Sequence, residues 1–262
     1  METEGKKAGP IVRMQGVAIS SMRDQQLAVV ENVNWEVEGG DFWVLAGLQG
    51  AGKTDFLMTL AGLMPPLEGS YHLFNEQMPI FDEARLAERL RLGLVFDGGQ
   101  LFNHLTVWEN VALPLRYHKN LSKADALGQV QALLDALDLA SWAESTPGAL
   151  ARNWQKRVGL ARALILKPEL LLVDNPLGGL DFRHLHWWLR FLKELSSGHP
   201  LLEHRPMTLV VSTADLRPWK AQARQFALLE NRRFSVLGDW TQVEAASQEL
   251  LRDVLSAESR PG

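Results

Sequence analysis

The sequence predicts an α/β chain whose core is interrupted by a helical subdomain, and three observations carry that prediction. Short apolar runs at Phe42–Ala46, Leu92–Phe96, Leu170–Val173 and Thr208–Val211 have the length and turn-bounded character of buried strands. Amphipathic stretches at Phe81–Leu90 and Phe182–Leu195 supply helices between such runs. From Leu101 to Lys167, Ala, Leu and Gln recur at helical spacing without β-branched runs.

Taken in order, residues 1–10 are polar and read as a tail, and Ile11–Ile19 and Val33–Val37 read as strands. Residues 11–240 form one domain, with the helical subdomain at about 98–167, and residues 241–262 form a helical tail ending in a frayed ESRPG. A chain of 262 residues that is 46% hydrophobic has enough apolar mass for one large core. Its net charge of −4 provides no global basic field for nucleic acid. Zero cysteines remove disulfides, thiolate metal sites and a cysteine nucleophile. No run approaches the ~20 apolar residues of a membrane span, so a membrane role comes through a partner.

The motif that carries chemistry is GLQGAGKT, between the strand ending at Ala46 and the helix beginning at Lys53. Glycine curls the backbone so that successive N–H groups face phosphate oxygens, and the helix that follows adds the positive end of its dipole. Gly47, Leu48, Gln49, Gly50, Ala51, Gly52, Lys53, Thr54 and Asp55 are the expected cofactor-binding residues. Lys53 reaches the β- and γ-phosphates, and Thr54 offers a hydroxyl to Mg²⁺. Downstream, LLLVDNP is an apolar strand ending in Asp174, placed to orient Mg²⁺ through water. ATP and Mg²⁺ are therefore the expected cofactors.

These segments, in this order, resemble the ABC ATPase family over nearly the whole chain. GLQGAGKT is similar to its Walker A, LLLVDNP to its Walker B, GGLD with Asp181 to its D-loop, RVGLARAL to the helix after its signature, and PLEGSYHLF to its β-hairpin region. The resemblance implies a P-loop NTPase (RecA-like) core with an antiparallel β subdomain and an inserted α-helical subdomain. The segment GGQLFNHLTVWENVALPLRYH is similar to ATPases of MCE-type, Mla-like lipid transporters, which marks Leu101–Leu115 as a docking surface. For Trp108, Val111 and Leu115 the competing reading is a helix core.

Several family positions are substituted. Asn175 stands where the family has its water-polarising glutamate, and an amide is no usable base near neutral pH. Ala214 stands in place of the switch histidine and Asp97 in place of the Q-loop glutamine, with Gln100 out of register. The signature loop reads Leu150, Ala151, Arg152, Asn153, Trp154, so side chains stand where backbone would approach phosphate, and no aromatic lies near Met22 to stack on a base.

The expected function is the ATP-binding subunit of an ABC transporter, of MCE/Mla-like lipid transport, with hydrolysis impaired or absent in this chain alone. The alternatives are a fully active transporter ATPase of another substrate class, with Asp97 or Asp215 compensating, and a soluble non-transport ABC protein. By resemblance the partners are a transmembrane permease, a second ABC subunit in a homo- or heterodimer, and an MCE-domain protein, with no nucleic acid. Location follows as cytoplasmic and peripheral, on the inner face of the cell membrane. His184, His186, Trp187 and Trp188 lack a carboxylate that would complete a metal set and read as a packed helix face, and the cations near Arg217–Arg224 read as solvated.

Overall fold

A computed structural model describes residues 9–78 and 86–246. In chain order the elements are β1 (Val12–Ser20), β2 (Ala28–Val37), β3 (Phe42–Ala46), α1 (Lys53–Leu60), β4 (Glu68–Leu73), β5 (Glu76–Gln77), α2 (Leu86–Arg89) and β6 (Leu92–Val95). There follow α3 (Val107–His118), α4 (Lys123–Ala136), α5 (Arg152–Leu164), β7 (Leu170–Val173), α6 (Phe182–Ser197), β8 (Thr208–Thr213), β9 (Gln225–Glu230), β10 (Arg233–Gly238) and α7 (Trp240–Ala245). The expected Phe81–Leu90 helix lies partly outside the described residues, and the tail beyond residue 246 wholly so.

The strands form one sheet in the order β5-β4-β1-β2-β10-β9-β3-β8-β7-β6. It has two characters. β5, β4, β1 and β2 pair antiparallel, whereas β9, β3, β8, β7 and β6 pair parallel, and the halves meet through the single β10–β2 pairing of Arg233 with Glu31. The parallel strands β3, β7 and β8 are buried along their whole length, which is why they read as continuous apolar runs and not as alternations. The hairpin β9–β10 was missed by the sequence reading. Its turn is Asn231–Arg232, two non-glycine residues at φ 47° and 62°, so the usual glycine signal of a two-residue hairpin is absent.

α3 begins at a capping box in which Thr106 and Glu109 exchange side-chain and backbone bonds, which stops the preceding loop and fixes the helix start. Asn110, fully buried, ties that loop down by bonding to the backbone of Phe102, Leu105 and Thr106. Trp108, Val111 and Leu115 are buried in the core shared by α3, α4 and α5, which settles their competing readings: none of the three is available for docking. Burial of side chains this size contributes roughly 1.5–3 kcal/mol each.

Candidate functional site

The site lies at the carboxyl ends of β3, β7 and β8, where open α/β sheets hold their ligands. β3 delivers Gly47, whose amide donates to Thr213 O at 3.2 Å, and the loop then turns through Gly50 at φ 84° and Gly52 at φ 88°. A side chain is disfavoured at Gly52 on two counts, a left-handed backbone and a tight 3.1 Å approach of its Cβ to Val29 Cγ2. Gly52 is also the N-cap of α1 and brings no capping side chain, so the first amides of the helix remain donors for a ligand.

Lys53 folds back over the loop, donating to Gly47 O at 2.6 Å and Leu48 O at 2.9 Å. Burial lowers its pKa from the ordinary value, and the charge on Asp174 offsets part of that fall. Thr54 Oγ1 donates to Asp174 Oδ2 at 2.8 Å, and Ser212 Oγ donates to Asp174 Oδ1 at 2.5 Å. The hydroxyl and carboxylate that suit a hydrated divalent cation therefore adjoin the orphan amides of α1, and this donor set fits a nucleotide phosphate with Mg²⁺. Leu48, Gln49 and Gly50 are exposed on the loop, with Ala51 half-buried behind them. Asp55 has a structural task, since its Oδ1 accepts from Met22 N at 2.7 Å and so tethers the β1–β2 connection. Met22 itself is 49% exposed.

Past Asp174, the Asn175 amide donates to Ser212 Oγ at 3.0 Å while its side chain reaches Asp97 Oδ2 at 3.3 Å. Asn175 sits at φ 44°, and a Cβ at Gly178 would fall 2.3 Å from its Nδ2, so this turn is closed on itself. Asp97 is also 2.9 Å from Lys156 Nζ and 3.4 Å from Arg152 Nη2. Ala214 is exposed just after β8 with no polar side chain to offer, and the neighbouring Asp215 is bound to Arg217 at 2.8 Å. Gln100, at φ 48°, gives its carbonyl to Arg162.

The first turn of α5 contrasts with the glycine loop. Ala151 is its N-cap with no side-chain bond, Arg152 is exposed, and Asn153 lies 2.6 Å from His184 Nε2. Arg157 Nη2 is 3.2 Å from His184 Nδ1 and can only donate, which makes Nδ1 the acceptor, while the Asn153 atom beside Nε2 is the amide nitrogen Nδ2. Trp154 packs on His184 at 5.3 Å and under the Arg157 guanidinium at 4.6 Å. His184 is thus part of a helix–helix seam, in keeping with a packed face, and the described residues contain no cluster of three metal-ligating side chains. Asp181 caps α6 by accepting from His184 N, which holds its carboxyl below the usual carboxylate range. The sequence reading passed over Ser212 and Lys156. Each stands one residue outside a segment it used, Ser212 just after the Thr208–Val211 run and Lys156 just before RVGLARAL.

The profile of the ABC transporter family matches residues 30–178, from β2 through the Walker B turn. The chain belongs to the ABC transporter family. Over 236 residues this ABC protein is 28% identical to methionine import ATP-binding protein MetN 1 of Acinetobacter baylyi, covering 89% of the present chain and 64% of that relative. It is 34% identical over 224 residues to the probable sulfate/thiosulfate import ATP-binding protein CysA of Chlorella vulgaris, covering 83% and 88% respectively. Among solved structures, the ATP-binding cassette MJ0796, a dimer in a post-hydrolysis state bound to ADP and Pi, superposes with a TM-score of 0.75 at 26% identity, covering 87% of this chain and all of that one. The fold is therefore the ABC ATPase fold built on a P-loop NTPase core. Among the described residues no helix is long and apolar enough to cross a membrane.

Proposed function

We propose that the chain is the ATP-binding subunit of an ABC transporter, loading Mg-ATP on Gly47–Thr54 and turning it over slowly, if at all, without a partner. The carrying observation is the juxtaposition of Lys53, the uncapped α1 N-terminus and the 2.8 Å Thr54–Asp174 bond. A transmembrane permease and a second ABC subunit complete the proposed assembly at the inner face of the membrane. On substrate class, the relatives named above import methionine and sulfate or thiosulfate, and this supports a small-solute transporter over the lipid cargo and MCE partner expected from Gly98–His118.

Weak turnover is supported by the chain's own residues. Asn175 is an amide, Ala214 is apolar, and Asp97 and Asp215, the two candidate substitute bases, are each committed to cations. Losing a positioned general base costs ~10²–10⁴ in rate. The deciding measurement is phosphate release by the purified chain with Mg²⁺. Turnover at rates ordinary for transport ATPases, abolished by Lys53→Ala, would sink the reading of weak turnover. Loss of that turnover in Asp97→Asn would then name Asp97 as the base.

A further inference from the structure

The start of α5 is joined to the turn after β7 by a side chain outside the phosphate loop. Lys156 is 1% exposed, and its ammonium donates to Asn175 O and Gly178 O at 2.9 Å and to Pro176 O at 3.4 Å. Those three carbonyls exhaust its three N–H groups, so the 2.9 Å approach of Asp97 Oδ1 is a contact of charges. A buried ammonium is tolerated only with such pairing, and removing one partner of a buried pair is far costlier than never having built it. Asp97 in turn accepts from the Asn175 side-chain amide and meets the exposed Arg152 one turn earlier on the same helix.

On its other side the same turn is wired to the phosphate loop. Asn175 N donates to Ser212, Ser212 to Asp174, and Thr54 to the second oxygen of Asp174. The route from Thr54 through Asp174, Ser212 and the Asn175 backbone to Lys156 has no link longer than 3.0 Å, and the turn in the middle has Asn175 in the left-handed region and Gly178 packed against its side chain.

We propose that Lys156 is a positioning residue: it locks the Asn175–Gly178 turn to α5, so that a nucleotide and Mg²⁺ drawing on Thr54 and Asp174 shift the first turn of that helix. The proposal rests on the reading of Gly47–Thr54 as a nucleotide site. Loading at one surface of the chain then reaches Arg152–Trp154 through rigid polar contacts, without hydrolysis. Either oxygen of Asp174 transmits the pull, because one is held by the phosphate loop and the other by Ser212.

Hydrogen exchange read by mass spectrometry, with Mg²⁺ and an ATP analogue carrying a methylene β–γ bridge, tests it. In the wild type the analogue protects the peptide over 47–54 and alters exchange over 152–156. Lys156→Met keeps the first response and loses the second, while Lys156→Arg, which retains the charge, retains both. Asp97→Asn leaves the three carbonyl acceptors in place and shows a weakened response over 152–156, and it decides the matter if circular dichroism shows Lys156→Met unfolded. A full response over 152–156 in both Lys156→Met and Asp97→Asn, or none in the wild type while 47–54 is protected, overturns the latch. Absence of protection over 47–54 in the wild type overturns the nucleotide reading instead.

Discussion

Two helices of this chain start close to the nucleotide end of the sheet, and their first turns are built in opposite ways. α1 starts at Gly52, with no side chain over its amides and with Lys53 lying across the loop carbonyls. α5 starts at Ala151, equally uncapped, but its next three residues are Arg152, Asn153 and Trp154, the last two packed into a seam with His184 and Arg157. Both turns expose a helix dipole. Only α1 leaves room for a phosphate to come within hydrogen-bonding distance of the backbone, and the difference is one of side-chain volume and of backbone geometry, since the Gly52 cap is left-handed and the Ala151 cap extended. In a head-to-tail dimer, the arrangement the family resemblance implies, the α1 turn of this chain and the α5 turn of its partner face one nucleotide. The two turns therefore predict unequal contributions to it.

The largest expected effect is on the α1 side. Lys53→Ala removes a charged donor, and hydrogen bonds to charged groups are worth about 1.5–3 kcal/mol, so nucleotide affinity falls by about one to two orders of magnitude in calorimetric titration. An unchanged affinity breaks the comparison at once. On the α5 side the corresponding loss is of stability. Trp154→Gln discards an aromatic contact at 5.3 Å and a cation–π contact at 4.6 Å, together with part of a half-buried ring. The cost is about 2 kcal/mol, or ~4–8 °C in Tm for a chain of this size. Nucleotide affinity of the isolated chain stays as it was, because Trp154 serves the seam with α6.

Ala151→Ser sharpens the same point in the other direction. A serine at an N-cap whose backbone is already extended accepts from the amides of the first turn and adds about 1 kcal/mol. Thermal denaturation should therefore show a rise of a few degrees. Trp154 N already donates to Ala151 O at 2.9 Å, so no rise would mean that this bond satisfies the turn and a hydroxyl adds nothing to it.

How legible these two turns are in the sequence differs for a physical reason. The glycine loop is local: its spacing, the preceding apolar strand and the following helix are all consecutive, so Gly47–Thr54 and its partner Asp174 can be placed by eye. The α5 turn is made by contacts between residues far apart in the chain, Asn153 with His184 and Lys156 with Asp97 and Asn175, and no spacing rule announces them. Asp97 shows the limit well. As a sequence position it suggests a substitute base, and in the fold it is the counter-charge of a lysine that the sequence hides within QKRV. The strands β9 and β10 were missed for a related reason, since their glycine-free turn is tied to distant β2, with Glu31 N donating to Arg232 O and the Glu31 carboxylate pairing with Arg232.

The smallest effect expected is also the most specific to the α1 turn, and it concerns pH. Burial lowers the pKa of Lys53 from 10.5, with Asp174 restoring part of the loss. In the free chain the folded lysine then holds its proton less tightly than the unfolded one, so unfolding takes up protons in the window below 10.5 and stability rises with pH there. The penalty of burying the charged amine is fully present at neutral pH and lifts as that amine deprotonates. Nucleotide binding has the opposite sign, because phosphate needs the ammonium, so affinity falls over the same window and begins to fall below the pH at which an ordinary lysine titrates. Titrations of nucleotide between pH 7 and 10, beside melts of the free chain, should give slopes of opposite sign, and Lys53→Arg, which stays charged throughout, should flatten both. Parallel slopes would mean that Lys53 keeps its proton over the phosphate loop whether or not a nucleotide is bound, and that the openness of the α1 turn owes nothing to the lysine lying across it.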